Sequence, residues 1–360
     1  MNFDTSEEQE LLQDTVRQFL AGECPPLRVR EIFESEGGHD PALWKGMVEL
    51  GLAGLLVPEE HGGAGLEVID LALVSETLGY GGAPGPFLGH ALASAAILAG
   101  GSDAQRAAWL PRLASGEVLG SVALGERGGH WLPAQWRAEV GDAGRVRGEK
   151  RHVPYAGLAD LLVVGVAGGE LVLVERGAPG LASEPYEGAD RTRRLATLQL
   201  EGTPCERLEA GARAAARVRD LGLVLLAADA FGVANRLLDL CVDYAGTREQ
   251  FGVTIGHFQA LKHQLANMAV EIEPSRGLWW YAAHAQDRVP EDAERYAALA
   301  KAHVSDVAMQ LARDSVEAHG GIGFTWECDV QIWFKRALFD RAWLGTPELH
   351  RERVAELSGW

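Results

Sequence analysis

Tyr244-Ala-Gly-Thr-Arg-Glu-Gln-Phe-Gly-Val-Thr-Ile-Gly-His-Phe-Gln259 is the stretch on which the reading of this chain turns. Ahead of it, residues 223–244 are almost wholly apolar at helical spacing. Behind it, Leu261, Leu265, Met268 and Ile272 recur near the helical period. Gly252 and Gly256 punctuate the join, which predicts a helix, a tight exposed turn and a second helix. The turn carries one arginine, two glutamines and two phenylalanines. A planar charged fork beside aromatic rings suits a ligand with an anionic end and a flat end. Taken alone, the same residues also read as an ordinary helix–helix connection with a solvated arginine.

Composition narrows the classes. A chain of 360 residues has room for two or three cores, and 47% hydrophobic residues is a globular value. Lys and Arg number 33 against 51 Asp and Glu, a net charge of −18 with no basic run. Nucleic acid and membrane are therefore not expected partners, although a local basic pocket can still take an anionic ligand. The opening Met-Asn-Phe-Asp-Thr is polar and does not read as a signal peptide. The apolar run 85–100 is broken by His90 and Ser94 and is too short to span a bilayer. Cys24, Cys205, Cys241 and Cys328 are far apart, without metal-ligand spacing. They read as reduced thiols of a cytoplasmic protein with no bound metal.

The periodicity changes twice. Thr5-Ser-Glu-Glu8 has a capping-box pattern, and Leu11, Leu12, Val16, Phe19 and Leu20 form one helical face. Asp40-Pro41 reads as an N-cap with proline at the first helical position, Gly51 as a stop, and 57–65 as a loop. Further helices are expected over 69–78, over the all-apolar 88–98, and after a cap at Asp103. Residues 1–117 are thus expected to form an N-terminal all-helical domain. Short β-type runs follow at 118–124, 136–140, 161–166, 171–175 and 196–200, separated by Gly, Asp and Pro. The pair flanking Ala167-Gly-Gly-Glu170 reads as a hairpin. These runs predict a middle β-domain of two small packed sheets over 118–207. Helical period returns at 213–244, 257–287, 291–319 and 330–344, with Pro290 opening the third helix, Gly320 closing it and Pro274 kinking the second. Residues 208–360 are expected to form a C-terminal antiparallel four-helix bundle. The fold class is α+β.

That order, with these local sequences, resembles the acyl-CoA dehydrogenase family over essentially the whole chain. Val57-Pro-Glu-Glu-His-Gly-Gly-Ala-Gly65 is similar to the family's N-terminal signature. Gly148-Glu-Lys150, and Ala159-Asp160 ahead of a Val-rich run, resemble its middle-domain pattern. Arg248-Glu-Gln-Phe-Gly252 followed by Phe258-Gln259 is similar to its flavin-contacting turn. Gly320-Gly-Ile-Gly-Phe324 matches its Gly-Gly-x-Gly segment, and Gly345-Thr346 the end of its last active-site loop. Each fragment alone is weak; five in order are not.

The resemblance implies FAD held between subunits. Arg248 would pair with the pyrophosphate of a neighbouring subunit's flavin, which a bidentate donor suits better than lysine. Gln250, Phe251 and Gln259 would lie along the same nucleotide, with Phe258 packing the turn. Glu317, Gly320 and Gly321 would approach the adenine end, and Thr346 would reach the nucleotide from the final loop. The family commonly has Gln where Glu317 stands, and a carboxylate offers no donor there. The implied partners are an acyl-CoA substrate, an electron-transfer flavoprotein as electron acceptor, and either a second acyl-CoA dehydrogenase-like subunit in an α2β2 assembly or further copies of the chain.

The implied chemistry is α,β-desaturation of an acyl-CoA thioester, an oxidoreductase reaction on a CH–CH donor. It needs a carboxylate base near the α carbon. The family usually places that Glu just before the final Gly-Thr, where this chain has Leu344. A second family position lies 26 residues ahead of Arg248, at Gly222, followed by Leu223 where an arginine is usual. No catalytic residue is therefore assigned. Asp220, two residues earlier, is turned about 200° around a helix from that position. The family's Thr-Glu-Pro-x-Ala-Gly-Ser-Asp flavin loop reads Ala123-Leu-Gly-Glu-Arg-Gly-Gly-His130 here, and Arg151-His-Val-Pro154 replaces the Trp-Ile-Thr that lies against the flavin ring. His152 at that position reads as a surface residue at a strand start. Many members also continue further beyond the final Gly-Thr.

Three readings stay open. The chain is a base-lacking subunit of a heteromeric bacterial steroid or bulky side-chain acyl-CoA dehydrogenase, whose partner supplies the Glu; or a self-sufficient enzyme with a base such as Asp220; or a non-catalytic scaffold or acyl-CoA binder of the same fold. No GxGxxG after a strand, Walker loop, HExxH or GxSxG competes.

Overall fold

The computed structural model describes residues 4–360. Six helices come first: α1 (Glu7–Glu23), α2 (Pro26–Glu34), α3 (Pro41–Glu49), α4 (Val68–Gly81), α5 (Phe87–Gly100) and α6 (Asp103–Ala114). Eight strands follow: β1 (Gly120–Ala123), β2 (Glu139–Gly141), β3 (Arg145–Pro154), β4 (Leu161–Val166), β5 (Glu170–Glu175), β6 (Leu181–Tyr186), β7 (Leu195–Pro204) and β8 (Glu206–Arg207). The rest is α7 (Gly211–Thr247), a two-strand ribbon of β9 (Glu249–Gln250) and β10 (Val253–Thr254), then α8 (Gln259–Ile272), α9 (Ser275–Arg288), α10 (Pro290–His319), α11 (Val330–Ala342) and α12 (Pro347–Leu357). This is the expected α+β order of helices, strands and helices.

Local chemistry moves several boundaries. The capping box at α1 is Ser6 with Gln9, one residue beyond the expected Thr5 and Glu8: Ser6 Oγ accepts from the Gln9 N–H at 3.2 Å, and Gln9 Oε1 from the Ser6 N–H at 3.0 Å. Ser102, not Asp103, caps α6 in the same way with Gln105. Pro274 does not kink one helix; it separates α8 from α9, because it cannot supply an N–H and crowds the preceding turn. β3 and β6 are absent from the sequence-based strand list. In β3, Val146, Lys150 and Val153 turn inward while Arg145 and Arg147 are exposed, so the strand carries too many charges to read as one. Pro347 opens α12, a helix the sequence reading left unassigned.

Two compact units result, one comprising Ser35–Leu71 and Pro84–Gly222, the other 4–34, Ala72–Ala83 and Leu223–Trp360. In the first, β1-β4-β5-β8 form one sheet, in which β1 and β4 are parallel, and β2-β3-β7-β6 form an antiparallel second. Val146, Val153, Leu162, Val164, Val172, Leu198 and Leu200 fill the β core at 0–2% exposure. The α5 residue His90 is fully buried: its Nδ1 accepts from the Gly120 N–H at 3.2 Å, which leaves Nε2–H to donate to the Ala53 carbonyl at 3.2 Å. Burial pushes it down to about 4, so it is a neutral bridge in the core.

In the second unit the Cα of Gly232 on α7 comes so close to α4 that an added Cβ would sit 2.0 Å from the Glu76 carbonyl. Only glycine permits that crossing. Asp229 on α7 takes a bidentate pair from Arg336 on α11, at 2.9 and 2.7 Å, and both side chains are nearly inaccessible. α7 is long and apolar enough to cross a bilayer by length and composition, yet 83% of its most apolar stretch is buried in the protein, as a core helix would be.

Candidate cofactor site and the base positions

α7 ends because its last turn closes on the ribbon. The Arg248 N–H donates to the Tyr244 carbonyl at 2.8 Å, and the Arg248 carbonyl accepts from Ile255 N–H at 2.8 Å. Gln250 pairs with Val253 and Glu249 with Thr254, leaving Phe251 and Gly252 as the two corner residues, at φ 56° and 79°. Two left-handed corners are what a tight two-residue hairpin of this hand requires. The expected tight turn is thus a small β-hairpin. It leaves Arg248 exposed, and no described residue accepts from its guanidinium. Gln250 is exposed and donates to the Glu249 carbonyl at 2.9 Å. Phe251 is 92% exposed and meets Phe258 edge-on at 6.1 Å, so Phe258 packs the turn; Gln259 opens α8 on the surface.

α10 brings the glycine segment to this hairpin. The Tyr244 ring stacks on His319 with centroids 4.5 Å apart and planes 20° from parallel. Gly320 follows with φ 62°, ending the helix, and Glu317, Gly320 and Gly321 are all exposed. Two of the three candidate segments therefore lie side by side. Thr346 does not join them. It caps α12, and its hydroxyl holds the Glu348 carboxyl down to about 2. The 343–346 loop is anchored near Lys301 on α10, 18 residues before His319, which is about 27 Å of helix. One pyrophosphate cannot touch Arg248 and Thr346 of the same chain.

The final loop is held firmly although it carries no base. Leu344 has φ 60° and is 2% exposed, so its side chain is buried. Its carbonyl takes a hydrogen bond from His350 Nε2 at 3.0 Å. The Lys301 ammonium donates to the carbonyls of Gly345 at 3.2 Å, of Arg341 at 2.9 Å and of Asp340. A cation against the last carbonyls of α11 also suits the helix dipole. Burial brings Lys301 down to about 7. Sequence reading missed this residue; the signal was a lysine on the apolar face shared by Ala297, Val304 and Ser305. At the second base position, Gly222 is buried in α7. Asp220 is 7% exposed and takes the Arg219 Nε–H at 2.7 Å, so its carboxylate is engaged by its own neighbour.

In the middle domain, the positions that the resemblance sets against a flavin ring hold a structural tie and a stacked aromatic pair. Glu126 and Lys150 form a buried pair at 2.6 Å, and Glu126 also accepts from the backbone N–H of Arg137 and Ala138 at 2.8 and 3.1 Å. Burial lowers Lys150 to about 8 against the pull of Glu126. These two family-like positions are a structural tie. Between Lys150 and Val153 the register with β7 slips by one, a β-bulge that sets His152 at φ 58°. His152 is therefore not a surface residue at a strand start. It is half-buried inside β3, stacked on Trp131 at 5.7 Å and 28°, and its Nδ1 pairs with the Tyr186 hydroxyl. Burial lowers His152 and pushes Tyr186 up to about 12, so a neutral imidazole accepts from a neutral phenol. The Trp131 ring lies over Gly125, 2.7 Å from where a Cβ would stand.

The donor set thus fits one part of a dinucleotide. An unpaired guanidinium with exposed amides fits a pyrophosphate. The Gly125 face, covered by the Trp131 ring that stacks on His152, does not fit an isoalloxazine.

Comparison with known proteins agrees with the architecture. The profile for the acyl-CoA dehydrogenase N-terminal domain matches residues 6–117, and that for the C-terminal domain residues 209–358. The acyl-CoA dehydrogenase IpdE2 of Mycobacterium tuberculosis is 36% identical over 92% of this chain and 91% of its own length. Among solved structures, the Tcur3481–Tcur3483 steroid ACAD G363A variant superposes with TM-score 0.90 at 32% identity, covering 98% of each chain. The ChsE4–ChsE5 complex of Mycobacterium tuberculosis gives 0.91 at 28% identity, covering 100% of this chain and 99% of that one. The fold and these likenesses define an oxidoreductase of the class that acts on CH–CH donors. The chain belongs to the acyl-CoA dehydrogenase family, whose members are FAD-dependent flavoproteins.

Proposed function

We propose that the chain is one subunit of a heteromeric, FAD-dependent acyl-CoA dehydrogenase acting on a steroid-type or similarly bulky acyl-CoA. In this reading Arg248, Gln250 and Gln259, with Glu317, Gly320 and Gly321 beside them, bind the nucleotide of a flavin whose ring rests on the partner subunit. Phe251 lies along the same nucleotide, Phe258 packs the hairpin, and Thr346 serves a different flavin from Arg248. One observation carries the proposal: the arginine hairpin is intact while both base positions, Leu344 and Gly222, lack a carboxylate. The names of two structural neighbours, a Tcur3481–Tcur3483 enzyme and a ChsE4–ChsE5 complex, support a two-chain assembly.

FAD is the hydride acceptor in this chemistry. The α proton goes to a carboxylate, and the partner supplies it. This chain's part is to orient the nucleotide through a bidentate guanidinium and to hold the 343–346 loop through Lys301 and His350. An electron-transfer flavoprotein would be the electron acceptor. Asp220 is a poor alternative base, being buried and ion-paired to its own neighbour.

The test is co-expression with an acyl-CoA dehydrogenase-like neighbouring gene product. A yellow complex is expected, with little flavin and no dehydrogenase activity in the chain alone. A yellow, active homo-oligomer made only of this chain would refute the proposal.

A further inference from the structure

The sequence gives His319 no role of its own, yet it links the two segments that carry the expected contacts. Arg248 is fixed by its backbone at both ends, through the Tyr244 carbonyl and the Ile255 N–H, each at 2.8 Å. Tyr244 is in turn held face-on by His319 at 4.5 Å. On the other side, His319 Nδ1–H donates to the Ser315 carbonyl at 2.8 Å, and Cys241 Sγ sits 3.9 Å from the same nitrogen. The glycine segment folds back against this residue: a Cβ on Gly323 would lie 3.1 Å from His319 Cβ and 2.4 Å from the Val316 carbonyl. Arg248, Tyr244, His319 and Gly320 are thus joined by a continuous run of close contacts. The hairpin itself has only two ladder pairs, too few to set its own angle to α10.

We infer that His319 is a positioning residue: through its stack on Tyr244 it holds Arg248 in register with the Gly320–Phe324 segment so that both can meet one dinucleotide. The inference rests on the proposed half-site. The ring binds nothing itself. It is 7% exposed, and burial lowers its pKa, so it is a neutral plate at physiological pH. Its value to the site is geometric, since a guanidinium fork misplaced by about 1 Å loses much of its bidentate advantage.

The experiment compares His319→Ala, His319→Phe and Arg248→Ala in the co-purified complex, measuring FAD affinity by flavin fluorescence titration well below the melting temperature. His319→Ala is expected to weaken FAD about tenfold, the worth of one aromatic stack. His319→Phe, which keeps a ring against Tyr244, is expected to return to within about threefold of the parent. Unchanged affinity in His319→Ala beside a weakened Arg248→Ala would overturn this inference alone. A loss in His319→Ala that phenylalanine does not rescue, and that follows the fall in melting temperature, would also overturn it by showing a general packing role. Full affinity in Arg248→Ala would overturn the half-site and the positioning role together.

Discussion

Replacing Arg248 by alanine separates binding from folding, because the guanidinium has no internal partner to leave behind. It is exposed, and its hairpin is held through backbone bonds that alanine keeps. The melting temperature of the cofactor-free complex should therefore change little, within about 0.5 kcal/mol of folding stability. FAD affinity should change a great deal. A charge-assisted bidentate contact to pyrophosphate is worth about 2–4 kcal/mol. At about 1.4 kcal/mol per decade, that is roughly 30- to 800-fold in Kd. Arg248→Lys keeps the charge but offers a point donor in place of a fork, so it should fall between parent and alanine. The assay is flavin fluorescence titration of the stripped complex, with thermal unfolding run beside it. Added salt should weaken the parent more than the alanine variant, since part of the attraction is screened. Equal FAD affinity in parent and alanine variant would refute the reasoning, and so would a loss of affinity matched by a loss of fold.

Two further outcomes concern the frame of the site. Lys301→Met leaves three carbonyls without their donor and should cost roughly 3 kcal/mol in urea unfolding at pH 6; a neutral result would mean that the loop is held by His350 alone. The same pair tests the pH dependence: with Lys301 at about 7 in the folded chain and 10.5 in the unfolded one, the unfolded chain holds a proton that the folded chain lacks between those pH values. Parental stability should therefore rise relative to Lys301→Met across that window, by at most about 1.4 kcal/mol per pH unit, and a flat difference would contradict the burial effect. Asp229→Ala strands the Arg336 charge in the core and should destabilise by about 3–5 kcal/mol, whereas replacing both by apolar residues should recover much of the loss.

How much was legible in the chain can be judged residue by residue. The order of helices, strands and helices followed from periodicity, since burial of one face writes a 3.6 or a 2.0 repeat into the residues themselves. The hairpin at 244–259 was visible as a turn because Gly252 must take a left-handed corner, but Phe251 in the other left-handed corner gave no such sign. β3 was missed because its outward face is charged. The caps of α1 and α6 were each placed one residue off, because Thr5 beside Ser6 and Ser102 beside Asp103 offer equivalent oxygens, and only backbone geometry selects between them.

The sequence by itself determined the family, through short motifs in a fixed order, and it determined what the chain lacks, since a missing carboxylate at Leu344 or Gly222 is missing in any conformation. Tertiary structure decided what stands in its place. Only folding brings Trp131 over Gly125 and against His152, buries Leu344 between anchors on α10 and α12, and lays Tyr244 on His319 across 74 intervening positions. Those contacts join residues far apart in the chain. Such pairings depend on how helices and strands pack, and no local periodicity encodes that.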